Sequence, residues 1–496
     1  MNAVTAIEPC LDMIIIGAGL SGIGMAVHMK RDLPGKRFAI LDQRDNLGGT
    51  WDLFRYPGVR SDSDMHTLGF VFEPWTHEKA IADGPSILEY LERITAKYKL
   101  AETMQMGQKV IAADWDSAAA CWTVTSQGKD GQTQRQQARF LFLGSGYYDY
   151  DQPYDAGFAG RDTFKGTVIH PQFWPTDLDY VGKKVVVIGS GATAVTIVPA
   201  MAKGGAGHVT MLQRTPTWMV SRPAKDGMAN LLRKVLPEKV AYRITRAKNI
   251  FLGDMVFKRA RSQPEKVKQF ITKQLRAHLG ESYDEAAFTP PYNPWEQRLC
   301  LVPDADFFQA IKAGSASVVT DQIERFDATG LQLKSGEHIN ADIIVTATGL
   351  TMSFAGKIAV SVDGAPVDFS KAFFYRNCMF SNVPNLAGVF GYLNASWTLR
   401  VDIVAEYLTR LLRQMDTYRA VAATPVLAAG TEPAEDDIFD FSSGYIQRGK
   451  HQMPRNAASL PWRLNQEYRK DRTDMRRAPI DDGVLAFQRE RELVGG

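Results

Sequence analysis

A strand-length apolar run that ends in a glycine turn occurs twice in this chain of 496 residues, and that repeat limits the fold more than any other feature. Leu11 to Ile16 leads into Gly17-Ala18-Gly19-Leu20-Ser21-Gly22, then a helix-like segment to about Arg31 and a second strand, Phe38 to Leu41, ending at Asp42. Val185 to Ile188 leads into Gly189-Ser190-Gly191-Ala192-Thr193-Ala194, then a helix to about Lys203 and the strand Val209 to Leu212. Short apolar runs separated by a turn and a helical stretch are βαβ units, so the fold class is α/β with two Rossmann-like domains. In such a loop the first glycine ends the strand in a tight turn and the second lets backbone approach a pyrophosphate. A small third residue lets the helix pack closely, with its N-terminus toward the phosphates. The loops therefore predict two dinucleotide sites, one at Gly17, Gly19, Ser21 and Gly22, the other at Gly189, Gly191, Thr193 and Ala194.

The ends of the second strands distinguish the two sites. Asp42 lies 25 residues after Gly17, and Arg214 lies 25 after Gly189. A carboxylate at that place accepts hydrogen bonds from ribose hydroxyls, as for the adenosine half of FAD or NAD. An arginine attracts a 2′-phosphate, and Thr215 beside it adds a hydroxyl donor, so the second site is expected to take NADPH. The alternative is Arg214 as a solvated strand-end charge. Disulfide reductases share a two-cofactor layout but need a redox cysteine pair, and Cys10, Cys121, Cys300 and Cys378 form no CxxC. The same scatter offers no zinc site, and no metal is expected. The remaining major use of two such domains is to reduce a flavin with NADPH and let it activate oxygen.

Composition bounds the partners. A net charge of +3 argues against a nucleic-acid binder. No stretch approaches the roughly 18–20 apolar residues of a membrane span, the start of the chain lacks signal-peptide features, and few, unpaired cysteines fit the cytoplasm. One region departs from the average: Met228 to Gly280 holds thirteen Lys/Arg against three Asp/Glu, interleaved with apolar residues at helical spacing. It reads as a helical insertion with a solvated basic face. The sharper alternative is an amphipathic surface in weak peripheral contact with anionic lipid. The tail from about Glu432 is polar and turn-rich.

Between the two loops, Phe164, Gly166, His170, Trp174 and Pro175 occupy the fixed positions of an FxGxxxHxxxWP pattern. Gly48-Gly49-Thr50-Trp51, Tyr56-Pro57-Gly58 and Asp62 fit a second, longer pattern, [AG]GxW…[FY]P[GM]xxxD. Both resemble the signatures of Baeyer–Villiger monooxygenases, a family of class B flavoprotein monooxygenases. Tyr292 to Arg298, Thr346 to Gly349 and Gly391 to Trp397 look especially like its ethionamide-activating branch.

The resemblance implies FAD and NADPH as cofactors, O2 as co-substrate, and conversion of ketones to esters or lactones through an FAD C4a-peroxide, with S-oxygenation of thioethers and thioamides. It implies Arg298 as the active-site cation and Asp62 as the group that orients it. Gly49, Thr50 and Trp51 would lie against the flavin and Trp397 near the flavin and nicotinamide edge. His170 would be an orienting hydrogen-bonder in the linker rather than a base. Gln297 departs from the lysine common at its position, which leaves more of the phosphate recognition to Arg214 and Thr215. The implied division is FAD domain 1–150 and 353–496, NADPH domain 151–221 and 297–352, and helical insertion 222–296. Two rival readings stay open: an N- or S-oxygenating enzyme with little ketone activity, and a flavoprotein acting as an NADPH oxidase.

Overall fold

The computed structural model describes residues 10–437 and 441–490. Both βαβ units form where the apolar runs place them, with strands Leu11–Ile16 and Phe38–Asp42 around helix Leu20–Asp32, and strands Lys184–Ile188 and His208–Gln213 around helix Ala192–Lys203. Ile14, Ile15, Val186 and Val187 are buried, as parallel strands covered on both faces must be.

Each unit sits in its own sheet. In the first, the parallel strands run in the spatial order Met104–Met106, Phe38–Asp42, Leu11–Ile16, Thr133–Leu143, Leu386–Gly388. An antiparallel extension, Lys109–Asp116 and Cys121–Gln127, grows from the first half of Thr133–Leu143. Chain from before residue 150 and from after residue 353 therefore shares one sheet. The second sheet is wholly parallel, in the order Ala316–Thr320, His208–Gln213, Lys184–Ile188, Ile343–Thr346, Thr167–Ile169.

The two halves close their glycine loops alike. A Cβ on Gly17, at φ +107°, would stand 2.5 Å from the Gly144 carbonyl oxygen, and one on Gly189, at φ +133°, 2.3 Å from that of Ala347. Both glycines are required by conformation and by contact.

The basic region forms helices Gly227–Val235, Glu238–Ser262 and Pro264–Leu279. They leave the second half at strand Met219–Arg222 and return at Cys300–Pro303, and these two strands pair in parallel. One residue departs from the expected solvated basic face. Arg246 is buried, donates to the carbonyls of His66, Thr67 and Gly69, and pairs with Asp402 at 3.0 Å. That anchors the insertion to the first half.

The tail is more ordered than its polarity suggests. Helix Tyr468–Arg477 packs on helix Trp397–Tyr418, and strand Leu485–Arg489 pairs antiparallel with Ala420–Pro425. Buried Asp471 accepts from Asn377 and Tyr392 and lies 3.4 Å from Arg400. Those partners are distant in the chain, and composition alone could not reveal them.

Candidate active site

A cavity of about 350 Å³ opens between the two glycine loops. Gly17, Gly19 and Ser21 form its wall from the first loop, with Asp42, Gly49, Thr50, Trp51, Asp62, Thr193, Arg298 and Trp397 around it. These side chains come from strand ends and loops of both halves and from the segment leaving the insertion.

Asp42 caps the first loop. Its carboxylate accepts from the backbone N–H of Ala18 at 2.6 Å and of Arg44 at 2.8 Å. Burial pushes its carboxyl above the ordinary value, against the pull of those two N–H groups and of Arg44. Thr50 Oγ1 meets the Tyr150 hydroxyl at 3.2 Å, and burial pushes the Tyr56 hydroxyl up to about 12, against the opposing influence of Thr193 of the second loop. Trp397 donates from Nε1 to Ser21 Oγ at 2.8 Å and stacks on Tyr147 with ring centroids 4.9 Å apart. It is thereby tied to the helix that follows the first loop.

Arg298 stands just before the returning strand Cys300–Pro303. Its Nη1 donates to Asp62 Oδ2 at 3.2 Å and its Nη2 to the Leu393 carbonyl at 3.4 Å. The Asp62 carboxylate raises the guanidinium's pKa further, against burial, and Tyr445, Tyr147 and Tyr148 act in the same sense. The group is a fixed positive charge, and its side chain remains 39% exposed, open to the cavity. The Tyr147 and Tyr148 hydroxyls bond each other, and burial raises both, so they are neutral at ordinary pH.

Other expected residues lie outside the cavity. Phe164 packs on Phe326 in a buried cluster, and a Cβ on Gly166 would meet the Asp342 carbonyl at 2.3 Å. These contacts seat Thr167–Ile169 at the edge of the second sheet. His170 Nδ1 accepts from the Gln172 N–H at 3.2 Å and Nε2 faces the Gly349 carbonyl at 3.3 Å. Burial holds this imidazole below its ordinary pKa, in the neutral form with Nε2 protonated that these partners require. Trp174 packs, half-buried, against the core of the second half, and Pro175 follows it. Gly22 and Ala194 are buried where their helices meet the sheets.

Arg214 is exposed and, among the described residues, has no ion-pair partner. Ser190 Oγ donates to the Thr215 carbonyl at 2.9 Å, which pins this strand end to the second loop. A Cβ on Gly191 would meet no protein atom within 4 Å, so the space before that loop is open. The residues present fit two dinucleotides. The first loop has a cavity with a carboxylate at its strand end, and the second has an open approach with an unspent guanidinium.

Sequence reading missed the tyrosines. Tyr147 and Tyr148 follow Gly144-Ser145-Gly146, a glycine turn after a strand, and that position was the available signal. Tyr445 comes from the tail, and no local pattern marks it.

A family model described as pyridine nucleotide-disulphide oxidoreductase matches residues 14–245, the span holding both glycine loops. Among curated proteins, AlmA of Acinetobacter baylyi, a probable FAD-binding monooxygenase, is 48% identical over 98% of both chains. EthA of Mycobacterium tuberculosis, an FAD-containing monooxygenase, is 48% identical over 98% of this chain and 99% of its own. This chain belongs to that family of FAD-containing monooxygenases. The chain's four cysteines are free, and no two of them form the CxxC pair of a disulphide oxidoreductase. Its fold is shared by steroid monooxygenase bound to NADP (TM-score 0.75, 19% identity, 97% of this chain and all of that one). The polycyclic ketone monooxygenase of Thermothelomyces thermophila shares it too (TM-score 0.76, 18% identity, 98% and 91%).

Proposed function

We propose that this monooxygenase uses NADPH and O2 to convert ketones to esters or lactones, with S-oxygenation of thioethers and thioamides as a second activity. The observation that carries this reading is Arg298, a permanently charged guanidinium held by Asp62 and open to the cavity between the loops.

FAD, when bound and reduced by NADPH, supplies the activation of oxygen. The protein's own residues supply the rest. Gly17, Gly19, Ser21 and Gly22 would hold the FAD pyrophosphate, Asp42 the ribose, and Gly49, Thr50 and Trp51 the ring system. Gly189, Gly191, Thr193 and Ala194 would receive NADPH, with Arg214 and Thr215 on its 2′-phosphate. Arg298 offers two N–H donors where negative charge develops on the substrate carbonyl oxygen, and a preorganised cation there stabilises the transition state most. Asp62 and the Leu393 carbonyl fix its direction. Trp397 and the neutral Tyr147–Tyr148 pair wall this end of the cavity and exclude water. His170 ties the linker before Trp174 to Gly349 and moves no proton.

The sharing of the sheets supports the division into 1–150 with 353–496 for FAD, 151–221 with 297–352 for NADPH, and 222–296 as insertion. Among the described residues no helix is long and apolar enough to cross a membrane. The four free cysteines favour a place in the cytoplasm, and the basic insertion is proposed as a weak peripheral membrane contact outside the chemistry.

The test is product analysis with a panel of linear and cyclic ketones and a thioether. Esters or lactones formed in step with NADPH consumption are expected. Sulfoxide without any ester would assign the enzyme to heteroatom oxygenation, and NADPH consumption independent of substrate would make it an oxidase.

A further inference from the structure

Ten of the fifteen large apolar side chains exposed among the described residues fall between residues 228 and 270. On helix Glu238–Ser262 they form a stripe, with Val240, Ile244, Phe251 and Met255 returning to one side, while Ala241, Tyr242, Thr245 and Arg246 are buried on the other. A helix that already buries one face in the protein has no structural need of a second apolar face. The same region carries thirteen Lys/Arg against three Asp/Glu.

Beside the stripe runs a groove of about 480 Å³ between this helix and helix Tyr468–Arg477. Phe251 stands on one side and Arg469, Arg472, Arg476 and Arg477 on the other. Lys258 bridges Asp254 of the long helix and Glu467 at the start of the tail helix, which holds the two walls together. Arg476 is spent on Glu406, but Arg469, Arg472 and Arg477 have no carboxylate partner among the described residues. Uncompensated guanidinium groups beside an exposed apolar stripe match the two chemistries of an anionic lipid, a phosphate and its acyl chains. A second copy of this chain would instead set two strongly positive faces against each other.

We propose that this face rests on an anionic bilayer and that the arginine groove takes a phospholipid phosphate headgroup. This inference rests on the membrane contact proposed above for the insertion. The apolar stripe enters the headgroup boundary while Arg472 and Arg477 hold the phosphate at its edge.

The test is sedimentation of the FAD-loaded full chain with vesicles of phosphatidylcholine alone and of phosphatidylcholine with phosphatidylglycerol. Binding is expected to the mixed vesicles only, and to weaken steeply as salt is raised. Arg472→Glu with Arg477→Glu is expected to cut it about tenfold or more, at roughly 1 kcal/mol per cation near an anionic surface. Phe251→Ser with Met255→Ser is expected to weaken it as well. Both variants keep wild-type FAD content and melting temperature, since all four positions lie away from the cavity. Mixed-vesicle binding untouched by the arginine changes would overturn the groove and leave the membrane contact standing. No sedimentation with either vesicle would overturn both. A dimer that Phe251→Ser with Met255→Ser dissolves would assign the face to a second copy, against the proposal.

Discussion

Arg298 and Asp62, 236 positions apart in the chain, meet at 3.2 Å on the cavity wall between the two glycine loops. Arg298→Ala removes the charge and both its donors. NADPH is expected to reduce the bound flavin at the wild-type rate in this variant under anaerobic conditions. Ester formation should fall by about a hundredfold or more, the scale of losing one oriented donor at a developing anion. Asp62→Ala leaves the charge but not its direction, and a smaller loss is expected. Near-wild-type ester yield from Arg298→Ala would remove the residue from the mechanism.

The two loops respond differently to one added methyl group. A Cβ on Gly22 would stand 1.8 Å from the Gly17 carbonyl oxygen, so Gly22→Ala forces backbone apart and is expected to destabilise the chain by about 3 kcal/mol or more. A Cβ on Gly191 meets nothing in the protein, so Gly191→Ala should melt with the wild type yet raise the KM for NADPH about tenfold, because the methyl occupies the phosphate's approach. Thermal melts and initial rates check both outcomes.

Arg214 offers its guanidinium at the strand end beside the second loop. Arg214→Gln is expected to weaken NADPH about ten- to a hundredfold, as for a charge-assisted phosphate contact, and to leave NADH nearly unchanged. Equal effects on both nucleotides would move phosphate recognition elsewhere.

His170 supplies a pH dependence. Burial lowers its pKa in the folded chain, so the unfolded imidazole binds a proton first as the pH falls. Its contribution to stability is full above the ordinary value of about 6.5 and is lost as the pH drops from there toward the folded pKa. Protonation also puts a hydrogen on Nδ1, which accepts from Gln172 in the native loop. Melting temperature should fall below about pH 6.5, and His170→Gln, which can make both bonds without titrating, should flatten that part of the curve.

The strands and helices of the two βαβ units were legible almost to the residue, because their apolar periodicity and glycine turns act over a few positions. The second sequence pattern supplies Gly49, Thr50, Trp51, Tyr56 and Asp62 to the cavity wall, but no pattern marked Tyr147 and Tyr148. Tyr147 and Tyr148 sit beside a readable turn, but only the approach of Arg298, Trp397 and Tyr445 gives them neighbours. The tail helix Tyr468–Arg477 was hidden because its one buried acid, Asp471, is matched by Arg400, Asn377 and Tyr392 from other segments.

By itself, the sequence determined that the chain has two dinucleotide loops and that opposite charges, Asp42 and Arg214, follow them at equal spacing. Those features depend on backbone conformation and side-chain chemistry within one βαβ unit, where neighbours in sequence are neighbours in space. The tertiary structure alone decided that Arg246 is a buried anchor rather than a solvated charge and that a tail arginine cluster faces Phe251, and it supplied the geometry of the Arg298–Asp62 pair that the sequence offered only through resemblance. Each of these is a meeting of distant segments, set by how the sheets and the insertion pack, and no local pattern encodes it.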